Sequence, residues 1–218
     1  MAFGPGRVGS GTSQLLQGLG LSRRDVSDAA LAVIERLARE RDALAERLAA
    51  VEVLADRDAL TPVLNRRAFL RELHRTMSEV ERYKTPAAVI YVDLDDFKAL
   101  NDAYGHAAGD AVLTHVGRLL RECVRESDVV GRLGGDEFGV ILNRANADEA
   151  RAKAWSLSAQ LHAAAIIHAG VLHHVGASFG VHPIEAVEDP EAAIARADET
   201  MYAEKHARRA HNAGFAAF

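Results

Sequence analysis

The chain has 218 residues, enough for one ordinary domain with an appendage and too few for two full-sized ones. Its composition, 49% hydrophobic and 26% charged, allows a proper core; its one cysteine, Cys123, excludes an intrachain disulfide and a cysteine-based zinc cluster. Of the net charge of −5, none arises in residues 1–57, where eight basic side chains balance eight acidic ones, so the acidic excess falls in residues 58–218, the reverse of a nucleic-acid-binding face.

Along the chain, residues 1–24 begin with Gly4, Gly6, Gly9, Gly11, Gly18, Gly20 and Pro5, and predict a flexible tail. Ser22 followed by Asp25 reads as a capping box, and residues 25–57 then run without Gly or Pro as one long helix. Ala30, Leu37, Leu44 and Val51 form one heptad row; Ile34, Leu48 and Ala55 form the other, which Arg41 interrupts. The narrow apolar seam suits a coiled coil; an amphipathic helix folded back on the domain is the alternative. From residue 58 the elements alternate. Residues 66–84 read as a helix with Phe69, Leu70, Leu73, Met77 and Val80 on one side, Ala87 to Val92 as a strand apolar throughout, and residues 107–124 as a helix. Strands Asp128 to Leu133 and Phe138 to Leu142 flank Gly134, Gly135, Asp136 and Glu137 as a hairpin. A helix capped near Asn146 runs to about Ala165, Val171 to Val181 gives one or two strands, and Asp189 with Pro190 opens the last helix. Such alternation predicts a sheet covered by helices, of α/β or α+β class. No apolar run reaches the roughly 18 residues of a membrane span and the N-terminus has no signal-peptide core, so a cytoplasmic protein is expected.

Two acidic clusters carry the chemistry. Asp93, Asp95 and Asp96 follow directly on the apolar strand, and Asp136 with Glu137 sits at the glycine-rich hairpin tip. Carboxylates of this kind suit Mg²⁺ or Mn²⁺ rather than zinc; each cluster alone is weak evidence, a glycine-acid tip being more often just a solvated turn, and it is their conjunction that matters.

Gly134-Gly135-Asp136-Glu137-Phe138 resembles the signature of the GGDEF domain, and the resemblance extends over nearly all of residues 58–209. Asp58-Ala59-Leu60-Thr61 with Asn65-Arg66-Arg67, Asp93-Leu94-Asp95 with Phe97-Lys98 and Asn101-Asp102, and Gly105-His106 with Gly109-Asp110 resemble further blocks of that family in the same order. The resemblance implies an α+β fold similar to nucleotidyl cyclases and polymerase palms, a central sheet flanked by helices, carried behind the N-terminal long helix. It also implies a diguanylate cyclase, which condenses two GTP molecules into cyclic di-GMP and pyrophosphate.

Residue by residue, it implies that Asp93, Glu137 and the main-chain carbonyl of Leu94 hold two divalent ions per active site, Mg²⁺ or Mn²⁺, with Asp136 beside them. Asn101 and Asp110 match the positions that read guanine, Lys98 one near the phosphates, and Lys205 and Arg209 those that grip the β- and γ-phosphates. Tyr202 matches the same closing helix. The chain departs from the family at Arg208 and Ala210, where glycine and asparagine are usual, and at Pro62, where glycine is usual. Arg125-Glu126-Ser127-Asp128 matches the Arg-x-x-Asp site through which cyclic di-GMP inhibits the enzyme; a surface ion pair is its plain reading.

His168, His173, His174 and His182 read as surface or edge histidines, since neighbours on a strand face opposite ways, and His106 as a structural hydrogen-bonding group. Trp155 and Cys123 read as packing residues. One GTP per domain implies two active sites facing each other in a homodimer, paired through the N-terminal helix, with any input reaching the domain through that helix or a partner. The alternative function is a non-catalytic cyclic di-GMP receptor or a helix-mediated scaffold.

Overall fold

The computed structural model describes the backbone of residues 16–18 and 20–215, and among these the side chains of all but residues 23, 48–54, 204 and 206–215. Two units divide between Ala55 and Asp56. In the first, Asp25 Oδ2 accepts from the Ser22 amide at 2.7 Å and the Ser22 hydroxyl at 2.6 Å, so the predicted capping box is present but closes a 3-10 turn, Arg23–Asp25. Helix α1, Asp28–Asp56, starts three residues later than predicted, where the Ser27 hydroxyl accepts from the Ala30 amide. Of its heptad rows, Leu37 is 53% and Leu44 64% exposed, while Leu48 and Val51 lie outside the described side chains.

The second unit is a four-stranded sheet between two layers of helices. Its order is β2-β3-β1-β6, with every neighbouring pair antiparallel: β1 Ala87–Leu94, β2 Val129–Gly134, β3 Glu137–Asn143 and β6 Ala177–Ile184. Helix α2, Arg66–Tyr83, is capped by Asn65, whose side chain accepts from the Ala68 amide; it ends where Lys84 turns left-handed at φ 55°. Its buried side, Phe69, Leu73, Met77 and Val80, packs on one sheet face together with helix α6, Pro190–Phe215, which contributes Ala193, Ile194, Ala197 and Met201. On the other face, Val112, Val116 and Leu120 of α4, His106–Glu122, and Ala150, Leu157 and Leu161 of α5, Ala147–Ala163, cover Ile90, Val92, Phe138 and Val140. Burial from both sides explains why β1 reads as apolar throughout rather than alternating. The Phe69 ring lies where Gly131 and Gly139 have no side chain; a Cβ would meet it at 2.7 and 2.5 Å.

The structure departs from the sequence reading at Phe97–Tyr104, at Ile166–His168, at Trp155 and at His173. An eight-residue helix, α3, Phe97–Tyr104, occupies a stretch to which the sequence assigned no element; it has no fully buried residue and so leaves little periodic signal. The stretch from Val171 holds two strands, within the one or two expected, but β5, Val171–His173, pairs with β4, Ile166–His168, a strand the sequence did not reveal, as a separate two-stranded hairpin, and β6 follows. Trp155 is 77% exposed on α5 rather than packed, whereas Cys123 does rest against the core. His173 is buried, 5% exposed, with its ring edge-on to Tyr104 at 4.7 Å, because β5 turns it inward; His106 is the exposed first residue of α4. Among the described residues no helix is long and apolar enough to cross a membrane.

Candidate active site

Strand register builds the site. Asp93 on β1 is paired with Glu137 on β3 and, on its other side, with Ser178 on β6, so the three side chains form one row on the sheet face covered by α2 and α6. Directly opposed residues bring their Cβ atoms to about 5 Å, so the two carboxylates are immediate neighbours. Gly135 and Asp136 make the turn, and the Leu94 amide donates to the Asp136 carbonyl at 3.3 Å. The two acidic clusters of the sequence are thus one.

The hairpin tip is pinned from outside. Arg132 on β2 donates through Nε and Nη2 to the Gly135 carbonyl, at 3.1 and 2.7 Å, and through Nη1 to Asp58 Oδ1 at 3.2 Å. Asp58 in turn accepts from the Thr61 amide and hydroxyl, each at 2.8 Å. Burial pushes its carboxyl up, yet the Thr61 and Arg132 hydrogen bonds outweigh that and hold it below the usual range. The opening Asp58-Ala59-Leu60-Thr61 segment therefore braces the turn that carries Glu137. Sequence reasoning assigned Arg132 no role; its only signal was a charged residue inside an otherwise apolar strand.

Lys205 on α6 lies between the acids, 3.2 Å from Asp93 Oδ1 and 2.9 Å from Asp95 Oδ1. Burial opposes its charge, but hydrogen bonds to Asp95 and Asp93 prevail and raise its pKa. A carboxylate with a lysine partner ordinarily becomes more acidic. Asp93 does not: burial, assisted by Asp136 and Asp95, outweighs Lys205 and raises its pKa. Both directions hold together because one ammonium faces several carboxylates. Asp198, also on α6, is raised as well, by burial first and then by Glu137 and Asp93, and Tyr91 is raised by burial and by a hydrogen bond with Glu137. The row is therefore short of positive charge. Its hard oxygen donors fit divalent cations such as Mg²⁺ or Mn²⁺. Among the described residues no group of three or more His, Cys, Asp or Glu side chains is arranged to hold a metal ion.

The remaining predicted residues fall in three places. Asn101, on α3, lies against Gly109 of α4, where a Cβ would come within 2.0 Å of its Oδ1; that oxygen is buried with no hydrogen-bond partner, an acceptor that a ligand N–H would satisfy. Asp110, the next residue, is exposed, as is Lys98 on α3. Arg209 belongs to α6, but its side chain lies outside the described residues.

Away from the acidic row, Arg125 and Asp128 line a cavity of about 270 Å³ together with Arg144 and Lys153. Asp128 Oδ2 accepts from the Arg125 amide and Oδ1 from the Asn143 amide, both at 3.1 Å, which fixes the turn that presents Arg125.

The profile of the family described as "Diguanylate cyclase, GGDEF domain" matches residues 55–211. The chain is 39% identical over 156 residues to the probable diguanylate cyclase DgcE of Escherichia coli K12, covering 71% of this chain and 14% of that protein. It is 33% identical over 198 residues to diguanylate cyclase TpbB of Pseudomonas aeruginosa, covering 84% and 45%. The chain thus spans less than half the length of either relative. Among solved structures, the coiled coil and GGDEF domain of DgcB from Caulobacter crescentus, in complex with c-di-GMP, superposes with a TM-score of 0.71 at 27% identity, covering 81% of this chain and 94% of that one.

Proposed function

The chain belongs to the GGDEF-domain family of diguanylate cyclases, and from that premise we propose that it joins two GTP molecules into cyclic di-GMP, releasing two pyrophosphates. The observation that carries this reading is the pairing of Asp93 with Glu137 in a half-buried acidic row, where Lys205 stands 3.2 Å from Asp93 and still leaves it above its ordinary pKa.

Asp93, Glu137 and the Leu94 carbonyl would hold the divalent cations, two per site, which would supply Lewis-acid polarisation of the α-phosphate and charge neutralisation for the departing pyrophosphate. Glu137 accepts the proton of the attacking 3′-hydroxyl, with Asp136 beside it. Asn101 and Asp110 read the guanine edge, an amide and a carboxylate matching its acceptor and its N–H donors. Lys205, with Arg209 four residues further along α6, grips the β- and γ-phosphates, and Lys98 approaches them from α3. The 3′-oxygen of each GTP forms a bond to the α-phosphorus of the other as the bond to pyrophosphate breaks. One GTP per domain then requires two domains face to face.

The exposed Leu37 and Leu44 of α1 give the helix an apolar seam for a parallel coiled-coil homodimer, and a relative solved with its coiled coil supports that reading. Pairing raises the effective concentration of one active site at the other. Arg125 and Asp128 form the inhibitory product site: the guanidinium offers a fork to phosphate and a plane to guanine, in a cavity already lined by two further cations. The direct test is incubation with GTP and Mg²⁺. Cyclic di-GMP should form with the wild type and not with Glu137→Gln; an inert wild type at high protein concentration would count against the reading.

A further inference from the structure

We propose that Asp95, held in place by Ser178, is the positioning residue for Lys205, keeping its ammonium at the active site when cations occupy Asp93. The inference rests on the cyclase reading for what Lys205 then does, but its geometry stands independently. Asp95 Oδ1 accepts two hydrogen bonds, from the Ser178 hydroxyl at 2.8 Å and from Lys205 at 2.9 Å. A carboxylate oxygen has two lone-pair sites, so this one is filled. Ser178 is 3% exposed near the start of the edge strand β6, paired with Asp93, and its burial leaves it little freedom to move. The Asp95 amide donates to the Gly176 carbonyl at 2.9 Å, and Gly176 lies so close that a Cβ there would stand 3.1 Å from Asp95 Oδ2.

Asp93 and Asp95 thus differ in kind although they are two residues apart. Asp93 belongs to the row with Glu137, where a divalent cation would compete directly with Lys205 for its oxygens. Asp95 stands past the end of the strand, its contacting oxygen committed to a neutral hydroxyl and one ammonium. When Asp93 changes partner, Lys205 retains Asp95. Without that anchor, repulsion from the incoming cations would drive a long, flexible side chain from the site just as the triphosphate needs it.

Two measurements test this. The first needs no nucleotide: the rate at which an N-hydroxysuccinimide ester acetylates Lys205, followed by mass spectrometry against the exposed Lys84. Wild-type Lys205 should label slowly with and without saturating Mn²⁺. Asp95→Asn should speed it by about tenfold, most clearly with Mn²⁺ present, as expected for loss of one charge-assisted hydrogen bond. Ser178→Ala, a smaller change, should act in the same direction and covers the case in which Asp95→Asn fails to fold. Equal labelling in the wild type and the folded variants, or rapid wild-type labelling once Mn²⁺ is added, would overturn the inference.

The second uses 3′-deoxy-GTP, which lacks the attacking hydroxyl. Asp95→Asn should weaken its binding about tenfold and GMP binding less than twofold, and the loss should vanish in a Lys205→Met background. An equal loss with Lys205 absent would mean that Asp95 acts through the fold alone. A wild type that binds neither nucleotide would contradict the cyclase reading, and the labelling result would then decide the role of Asp95 by itself.

Discussion

At the scale of single residues, the site is governed by burial of like charges. Burial pushes the Asp93 carboxyl up, Asp136 and Asp95 add to it, and Lys205 does not offset the sum. A carboxyl whose folded pKa lies above its ordinary value of 3.8 binds its proton more tightly folded than unfolded, so stability falls as pH rises through that interval and stays lower above it. We therefore predict that, in EDTA, the stability of Asp93→Asn relative to the wild type rises as pH rises above the ordinary Asp range, so that the variant melts higher at neutral pH. Thermal melts of both proteins across a pH series check this; an Asp93→Asn protein less stable than the wild type at neutral pH would refute it. Arg125→Ala should leave the initial rate of product formation within about twofold and abolish its slowing by added cyclic di-GMP, since one guanidinium–phosphate fork supplies most of the recognition there. Initial rates with and without added product are the check.

At the scale of elements, the hairpin that bears Glu137 is fastened by Arg132, whose guanidinium reaches both the Gly135 carbonyl and Asp58. Arg132→Met should destabilise the domain by about 1–3 kcal/mol by leaving Asp58 without its charged partner, and should lower turnover further by loosening the turn. Urea unfolding and activity at matched folded fraction separate the two effects; an unchanged specific activity would show that the brace serves the fold alone. Much of this level was legible in the sequence. Helix α2 declared itself through a periodic apolar side, β1 through an unbroken apolar run, and the hairpin through its glycines, all signals that arise within a few residues. What was not legible depends on contacts across long separations. The Ser178–Asp95 hydrogen bond joins residues 83 apart and the Arg132–Asp58 pair joins residues 74 apart, so neither leaves a local pattern. Helix α3 escaped because nothing on it is fully buried, and Trp155 misled because helical spacing cannot tell a core position from an exposed one. The guanine-reading, phosphate-gripping and metal-holding assignments came from resemblance to a family; spacing alone gave only two acidic clusters.

At the scale of the whole molecule, the proposed chemistry needs two copies, and α1 is the element that offers to bring them together. Leu37 and Leu44 are more than half exposed on it. Leu37→Arg with Leu44→Arg should convert a dimer into a monomer by sedimentation and make specific activity strongly dependent on protein concentration, while the melting of the 56–218 unit stays close to that of the wild type. A variant that remains dimeric would place the pairing surface elsewhere.

The most direct test of the central claim, that the Asp93–Glu137 row performs two-metal nucleotidyl transfer, is mass-spectrometric identification of the product formed from GTP and Mg²⁺ across a range of protein concentrations, for the wild type beside Glu137→Gln. The account predicts cyclic di-GMP with two pyrophosphates per molecule, a specific activity that rises with concentration, and no product from the variant. Recovery of unchanged GTP from folded, dimeric wild type, or undiminished synthesis by Glu137→Gln, would contradict it.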